Sequence, residues 1–243
     1  VVLIGERPPL TFPCPTCIVE ASETDHFVAF NSTTSLSETM TELLDAKGAM
    51  RRAAYDARNA QPDKDTLSEV AVATLLNLPE YQAAQAVLWY IDCRSELRTK
   101  HALPDALTSG KQIIIPYCTL DESGANKLGL WRLENMDELI VGKWKILEPS
   151  HERWGEPGKE FQPEQLDLVI VPGVAFSREG GRMGNGQGYY DRLLQHVRMD
   201  CRLFGLCYEC QLFDDLIVGP HDVFMDRVVT ERATYEGQRR PTR

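Results

Sequence analysis

Residues 167–192 read DLVIVPGVAFSREGGRMGNGQGYYDR. Within 167–171 the run Leu168–Val171 is short, apolar and mostly β-branched, and Pro172-Gly173 closes it, so the stretch predicts a buried strand. Tyr189 to Val197 predicts a helix. Between them lie five glycines within 180–188, three of them alternating at Gly184, Gly186 and Gly188. Glycine tolerates positive φ and lets backbone N–H groups approach an anion. The following helix turns its positive end toward the same place, and Arg182 adds a fixed charge. In open α/β sheets ligands bind at the carboxyl end of a strand, where this loop lies. The loop lacks the G-K-[ST] ending of a Walker A loop, and GNGQGY misses G-x-G-x-x-G by one position. Glycine density alone also fits a flexible surface loop. The flanking strand, Arg182 and the Tyr189-Tyr190-Asp191 run favour a nucleotide site.

The surroundings extend the α/β pattern. Ser37 or Thr39 caps a helix running through Leu43, Met50 and Tyr55 to about Asn59. Pro62 and Asp63 open a second helix, which Pro79 stops. AVLWYID (86–92), KQIIIP (111–116) and CRLFGLCY (201–208) read as further strands, and 104–109 as a short helix ending at Gly110. Apolar strands alternating with helices predict a mostly parallel, Rossmann-like sheet covered on both faces, a single three-layer αβα domain over residues 41–243. Residues 1–40 contain four prolines and the run NSTTSLSET, and read as a flexible N-terminal extension.

Lys and Arg total 26 against 36 Asp and Glu, a net charge of −10. That balance argues against nucleic acid as a partner, since phosphate backbones are bound by Lys and Arg. It leaves room for a small anionic ligand in a local positive pocket. No run approaches the roughly 18 apolar residues of a membrane helix. The N-terminal VVLIGERPPLTFPCPTC lacks the basic segment and apolar length of a signal peptide, and early acids disfavour a transit peptide. Seven cysteines, an odd number, are scattered through a long chain. They read as reduced thiols of a cytoplasmic protein. Cys14/Cys17 and Cys207/Cys210 have paired spacing, but they are too far apart in sequence for a compact zinc module. In a strand, Cys207 and Cys210 point to opposite faces unless a turn intervenes.

The run PG-x-AF-x-x-x-G-x-R-x-G-x-G-x-GYYDR resembles the 5-formyltetrahydrofolate cyclo-ligases, also called methenyltetrahydrofolate synthetases. KGAMRRAAYDAR (47–58) is similar to that family's opening K-x-x-x-R helix, and 78–99 to its strand followed by E-x-x-T. Residues 205–231, with Gln211 and the HD-x-x-x-D pattern, look like its C-terminal signature. The likeness spans about 44–231.

This resemblance implies an ATP- and magnesium-dependent closure of 5-formyltetrahydrofolate to 5,10-methenyltetrahydrofolate, with small-molecule substrates only. No oligomeric state follows from it. Arg182 and Glu96 are the implied catalytic residues. Lys47, Arg51 and the loop residues Arg182, Met183, Gly184, Asn185, Gly186, Gln187, Gly188, Tyr189 and Tyr190 match the ATP site. Ile91, Glu96, Trp144 and residues 185–189 match the folate site. Asp191 and Asp222 match metal-associated carboxylates, with Asp226 ranked lower.

Each has a plainer reading beside it. Lys47 and Arg51 suit a solvated helix face. Tyr189 and Tyr190 suit core anchors, and Trp144 a half-buried aromatic near a turn. Asp222 suits a turn cap. Asn185 and Gln187 stand where relatives carry more basic residues, and Met183 where leucine is usual. These departures keep two rivals open: a non-catalytic nucleotide- or folate-binding homologue, and a relative acting on another amide.

Overall fold

The computed structural model describes residues 32–219 and 222–238. Of the expected flexible extension, residues 1–31 lie outside them, while residues 32–40 are helical. The chain divides into a unit up to Thr39 and a compact unit from Met40 onward, and the description below concerns the second.

In chain order the elements are helices α1 (Ser32–Ala60), α2 (Lys64–Leu76) and α3 (Pro79–Ala83), strand β1 (Ala86–Leu88), helix α4 (Leu103–Thr108) and strands β2 (Gln112–Leu120) and β3 (Asn126–Leu133). A hairpin of β4 (Leu139–Val141) and β5 (Leu147–Pro149) follows. Next come β6 (Leu168–Val171), β7 (Ala175–Phe176), β8 (Arg182–Met183), α5 (Tyr189–Leu194), β9 (Arg202–Leu206), β10 (Arg227–Val229) and β11 (Thr234–Glu236).

Seven strands form one sheet in the order β11-β10-β9-β6-β1-β2-β3. The five inner strands run parallel, and β3 and β11 close the two edges antiparallel. The parallel strands are fully apolar because both faces are covered. Alternation along each strand sorts the core into two layers. Val87, Ile113, Ile115, Leu168, Ile170 and Phe204 pack with Leu75 of α2, Tyr81 of α3 and Leu103 of α4. Leu88, Ile114, Val169, Val171 and Leu203 pack on the other face with Leu193 and Leu194 of α5. The mostly parallel, helix-covered α/β architecture expected from the sequence is present.

Several local expectations are corrected. Helix α1 begins at Ser32, ahead of Ser37 and Thr39. Pro79 opens α3 instead of only stopping α2, since proline suits the first helical position. The strand expected over 86–92 pairs only at Ala86–Leu88, although Trp89 still donates its N–H to the Ile114 carbonyl at 2.8 Å. Strand β2 runs on past Pro116. Ile114 turns its carbonyl toward β1 and, two residues on, Pro116 faces the same side, where the pairing with β1 has already ended and no N–H is needed. The helix expected over 189–197 stops at Leu194.

Two devices position the site. Asp167 caps the start of β6: its Oδ2 accepts the Gln85 and Ala86 N–H groups at 2.9 Å each, and its Oδ1 accepts Arg198 Nη2 at 2.8 Å. Helix α1 does not cover the sheet. Its Ala54 packs with Val174, Ala175 and Met183 of the small β7–β8 hairpin, which carries the glycine loop.

Candidate active site

A cavity of about 610 Å³ opens beyond the carboxyl ends of β1 and β6. Its walls come from α1, the segment after β1, strands β2 and β3, the β4–β5 hairpin and residues 184–191.

The sequence places the glycine loop directly after β6, but the structure inserts the β7–β8 hairpin between them. Three side chains from different elements hold the intervening turn. Arg182 Nη1 donates to the Pro172 carbonyl at 3.3 Å. Arg58 Nη1 and Gln211 Nε2 donate to the Gly173 carbonyl at 3.2 and 3.0 Å, and Gln211 Nε2 also to Val174 at 2.9 Å. The buried Arg182 emerges from this turn, pairs with Asp191, and lies 5.8 Å from the Tyr190 ring centroid. Gly186 and Gly188 have φ of +84° and +69°, values that a side-chain-bearing residue adopts only with strain. Because α5 has only six residues, its dipole is small, and the positive charge near the loop comes from side chains.

Helix α1 supplies much of it. Arg51 Nε donates to the Gly184 carbonyl at 3.1 Å, and the Tyr55 hydroxyl donates to Asn185 Oδ1. One turn earlier, Lys47 Nζ lies 3.7 Å from Asp222 Oδ2. Residues 47, 51, 55 and 58 thus form one stripe along the helix. Sequence reasoning found the first two and missed Tyr55 and Arg58, although the 4-4-3 spacing was there to read.

At the opposite end stands the segment after β1. Asp92 Oδ1 accepts the Thr99 and Lys100 N–H groups at 2.9 Å, and Tyr90 donates its hydroxyl to the Leu97 carbonyl at 2.8 Å. That fixed turn presents Glu96, whose Oε2 accepts the Cys93 N–H at 2.9 Å. Burial raises the Glu96 pKa above its ordinary value, against the opposing pull of the Cys93 N–H and Arg58. Ile91 is buried in the same wall. Trp144 sits at the rim, 58% exposed, with φ +64°, and the half-buried reading of its sequence context is not what is seen.

The loop residues Gly184, Asn185, Gly186, Gln187, Gly188, Tyr189 and Tyr190 all line the cavity, as do Ile91, Glu96, Trp144, Arg182 and Asp191. Met183 is buried behind them against Ala54. Lys47, Arg51 and Asp222 are outside the lining, on the far side of the loop. Asp222 accepts the Gly219 N–H at 2.6 Å, which fits its turn-capping reading. Asp226 accepts the Leu203 N–H at 2.7 Å and supports the sheet. The Tyr190 hydroxyl is buried without a hydrogen-bond partner, and burial pushes its pKa far up.

Among the described residues no cysteine is joined in a disulfide. A 3-10 turn over Glu209–Gln211 does intervene between Cys207 and Cys210, while Cys14 and Cys17 lie outside the described residues. Among the described residues no group of three or more His, Cys, Asp or Glu is gathered as a metal site, and no helix is long and apolar enough to cross a membrane.

The profile of the 5-formyltetrahydrofolate cyclo-ligase family matches residues 36–231. The chain belongs to this family. It is 27% identical over 226 residues to the mitochondrial 5-formyltetrahydrofolate cyclo-ligase of Arabidopsis thaliana, covering 84% of this chain and 80% of that one. To the Escherichia coli (strain K12) 5-formyltetrahydrofolate cyclo-ligase it is 28% identical over 172 residues, 70% of this chain and 91% of the relative. The NMR structure of Aquifex aeolicus 5,10-methenyltetrahydrofolate synthetase superimposes with a TM-score of 0.67 at 31% identity, covering 81% of this chain and 94% of that one. The family is one of enzymes, named for its cyclo-ligase activity.

Proposed function

We propose that the cavity closes 5-formyltetrahydrofolate to 5,10-methenyltetrahydrofolate at the expense of ATP, releasing ADP and phosphate. One observation carries this reading: a glycine loop flanked by Arg51 and Arg182 shares a cavity with the Ile91–Glu96 wall. A phosphate-handling end and an apolar, carboxylate-bearing end thus face one cavity.

The formyl oxygen attacks the γ-phosphorus of ATP, and the bond to the leaving ADP breaks. The N10 nitrogen then attacks the activated formyl carbon. The formyl oxygen departs within inorganic phosphate, N10 gives up its proton, and the five-membered ring is closed. This sequence needs charge neutralisation and alignment more than a strong base. Arg182 lies where it can meet the transferring phosphoryl group, in exchange for its partner Asp191. Arg51 holds the loop, and Lys47 faces its outer side. The Glu96 carboxylate accepts a hydrogen bond from the folate near N10.

Magnesium is usually held by one or two carboxylates, with phosphate oxygens and water completing the shell. Asp191 is a partly exposed carboxylate on the cavity wall beside the phosphate-facing arginine, and fits that donor set. Asp222 is the second candidate. Bound there, the ion would neutralise charge on the phosphate oxygens. Cysteines without disulfides among the described residues support a reducing compartment, the cytoplasm in this reading.

The test is direct. The purified protein is mixed with 5-formyltetrahydrofolate and magnesium-ATP, and the absorbance of the methenyl product is followed. Absence of product from folded protein at high concentration overturns the proposal. ATP turnover with a different amide would then point to another substrate in the same cavity.

A further inference from the structure

Arg58 is among the most deeply buried charged residues described, 2% exposed, yet it belongs to the long outer helix α1. A buried guanidinium stays protonated, so it needs a counter-charge and hydrogen-bond acceptors around it. Its Nε donates to Ser95 Oγ at 3.1 Å and its Nη1 to the Gly173 carbonyl at 3.2 Å. The Tyr55 ring centroid lies 5.0 Å from its central carbon. The only carboxylate paired with it among the described residues is Glu96, with Nη1 4.0 Å from Oε1.

That separation is too long for a hydrogen bond. The pair is therefore held by charge, and each partner is fixed by other contacts. Ser95 and Gly173 fix Arg58, while the Cys93 N–H fixes the other oxygen of Glu96. Among the described residues Oε1 accepts no hydrogen bond, which leaves it open to a donor on a bound molecule. An arginine bonded directly to that oxygen would have taken the place of a substrate N–H.

We propose that Arg58 is a positioning residue, whose buried guanidinium keeps the Glu96 carboxylate charged and aimed into the cavity without occupying the oxygen that receives the substrate. This rests on the folate reading of the cavity. The groups facing Glu96 are few. Asp92, Cys93 and Arg94 lie on its own segment, Tyr90 just before it, Tyr190 on α5 and Arg58 on α1. Asp92 and Arg94 act in opposite directions on Glu96. Arg58 is then the cation that the rest of the fold brings to it, from a helix distant in sequence.

The experiment reads the charge of Glu96 without relying on turnover. The full chain is labelled with carboxyl-13C glutamate, and Glu96→Gln identifies the resonance. In Arg58→Gln the Glu96 titration midpoint should rise by about one pH unit or more, the size of effect a neighbouring guanidinium has on a carboxylate. Arg58→Lys should restore part of the shift. The acid limb of kcat/KM should move upward in parallel.

An unmoved midpoint in folded Arg58→Gln overturns the proposal. If that variant does not fold, Ser95→Ala, which removes only the Nε partner, should give a smaller rise in the same direction. No rise there overturns it equally. Absence of methenyl product from the wild-type protein would instead count against the folate reading, and the 13C midpoints would still decide the part played by Arg58.

Discussion

Arg182 and Asp191 form an ion pair across the glycine loop, with the arginine side chain 5% exposed and the carboxylate 44% exposed. The cation that would meet a transferring phosphoryl group and the carboxylate that would hold magnesium thus neutralise each other before any ligand arrives. The charges are already in place, so binding exchanges partners instead of bringing charge into a dry site.

Asp191→Asn is expected to lower kcat by about a hundredfold or more, the scale of losing one electrostatic contact to the transition state. Its circular dichroism should match the wild type, since the carboxylate is partly exposed. Unchanged turnover in saturating magnesium-ATP would remove Asp191 from the site.

Arg51→Ala removes the donor to the Gly184 carbonyl. A charge-assisted hydrogen bond is worth about 1.5–3 kcal/mol, so the KM for ATP should rise by about tenfold or more. The KM for 5-formyltetrahydrofolate should change less, because the Ile91–Glu96 wall is untouched. Equal losses for both substrates would mean that Arg51 supports the whole cavity instead of its phosphate end.

Asp167→Asn tests the cap on β6. Burial pushes the Asp167 pKa up, but the Ala86 and Gln85 N–H groups and Arg198 outweigh it and hold it below the ordinary value. A depressed carboxylate stabilises the fold above its unfolded pKa, and that stability is lost as the pH falls through the folded value. The variant should cost about 1–3 kcal/mol at neutral pH. Urea midpoints of variant and wild type should converge as the pH falls below the ordinary aspartate pKa. A gap independent of pH would show that charge plays no part in the cap.

Removal of residues 1–36 is expected to leave cyclo-ligase turnover largely intact. The family match begins at residue 36, and the compact unit at Met40. The extension is proposed to stand outside the catalytic unit. Loss of soluble, active protein on truncation would place those residues within it.

The central strands were legible because burial on both faces leaves runs such as 113–115 and 168–171 with no polar residue to confuse the pattern. The loop was legible because alternating glycines beside an arginine are rare without a reason. Strand β3 was not, because NKLGLWRL mixes polar and apolar residues at an edge that only pairing with β2 defines. Its Gly129 is needed because the Tyr117 ring lies where a Cβ would be. Arg58 was one of several basic residues on a helix, and only its burial against Ser95, Gly173 and Glu96 sets it apart from Arg52. Trp144 adopts a left-handed backbone that its residue type does not announce.

The cavity walls draw on Tyr55, Glu96, Tyr117, Trp144 and residues 184–191, which span more than half of the chain. No short contiguous fragment contains them. A ligand bound there grips only the fully folded molecule, so each tenfold rise in its free concentration above Kd should add about 1.4 kcal/mol to the free energy of unfolding. Thermal-shift titration with ATP and with 5-formyltetrahydrofolate, separately and together, therefore serves as a binding assay for the site.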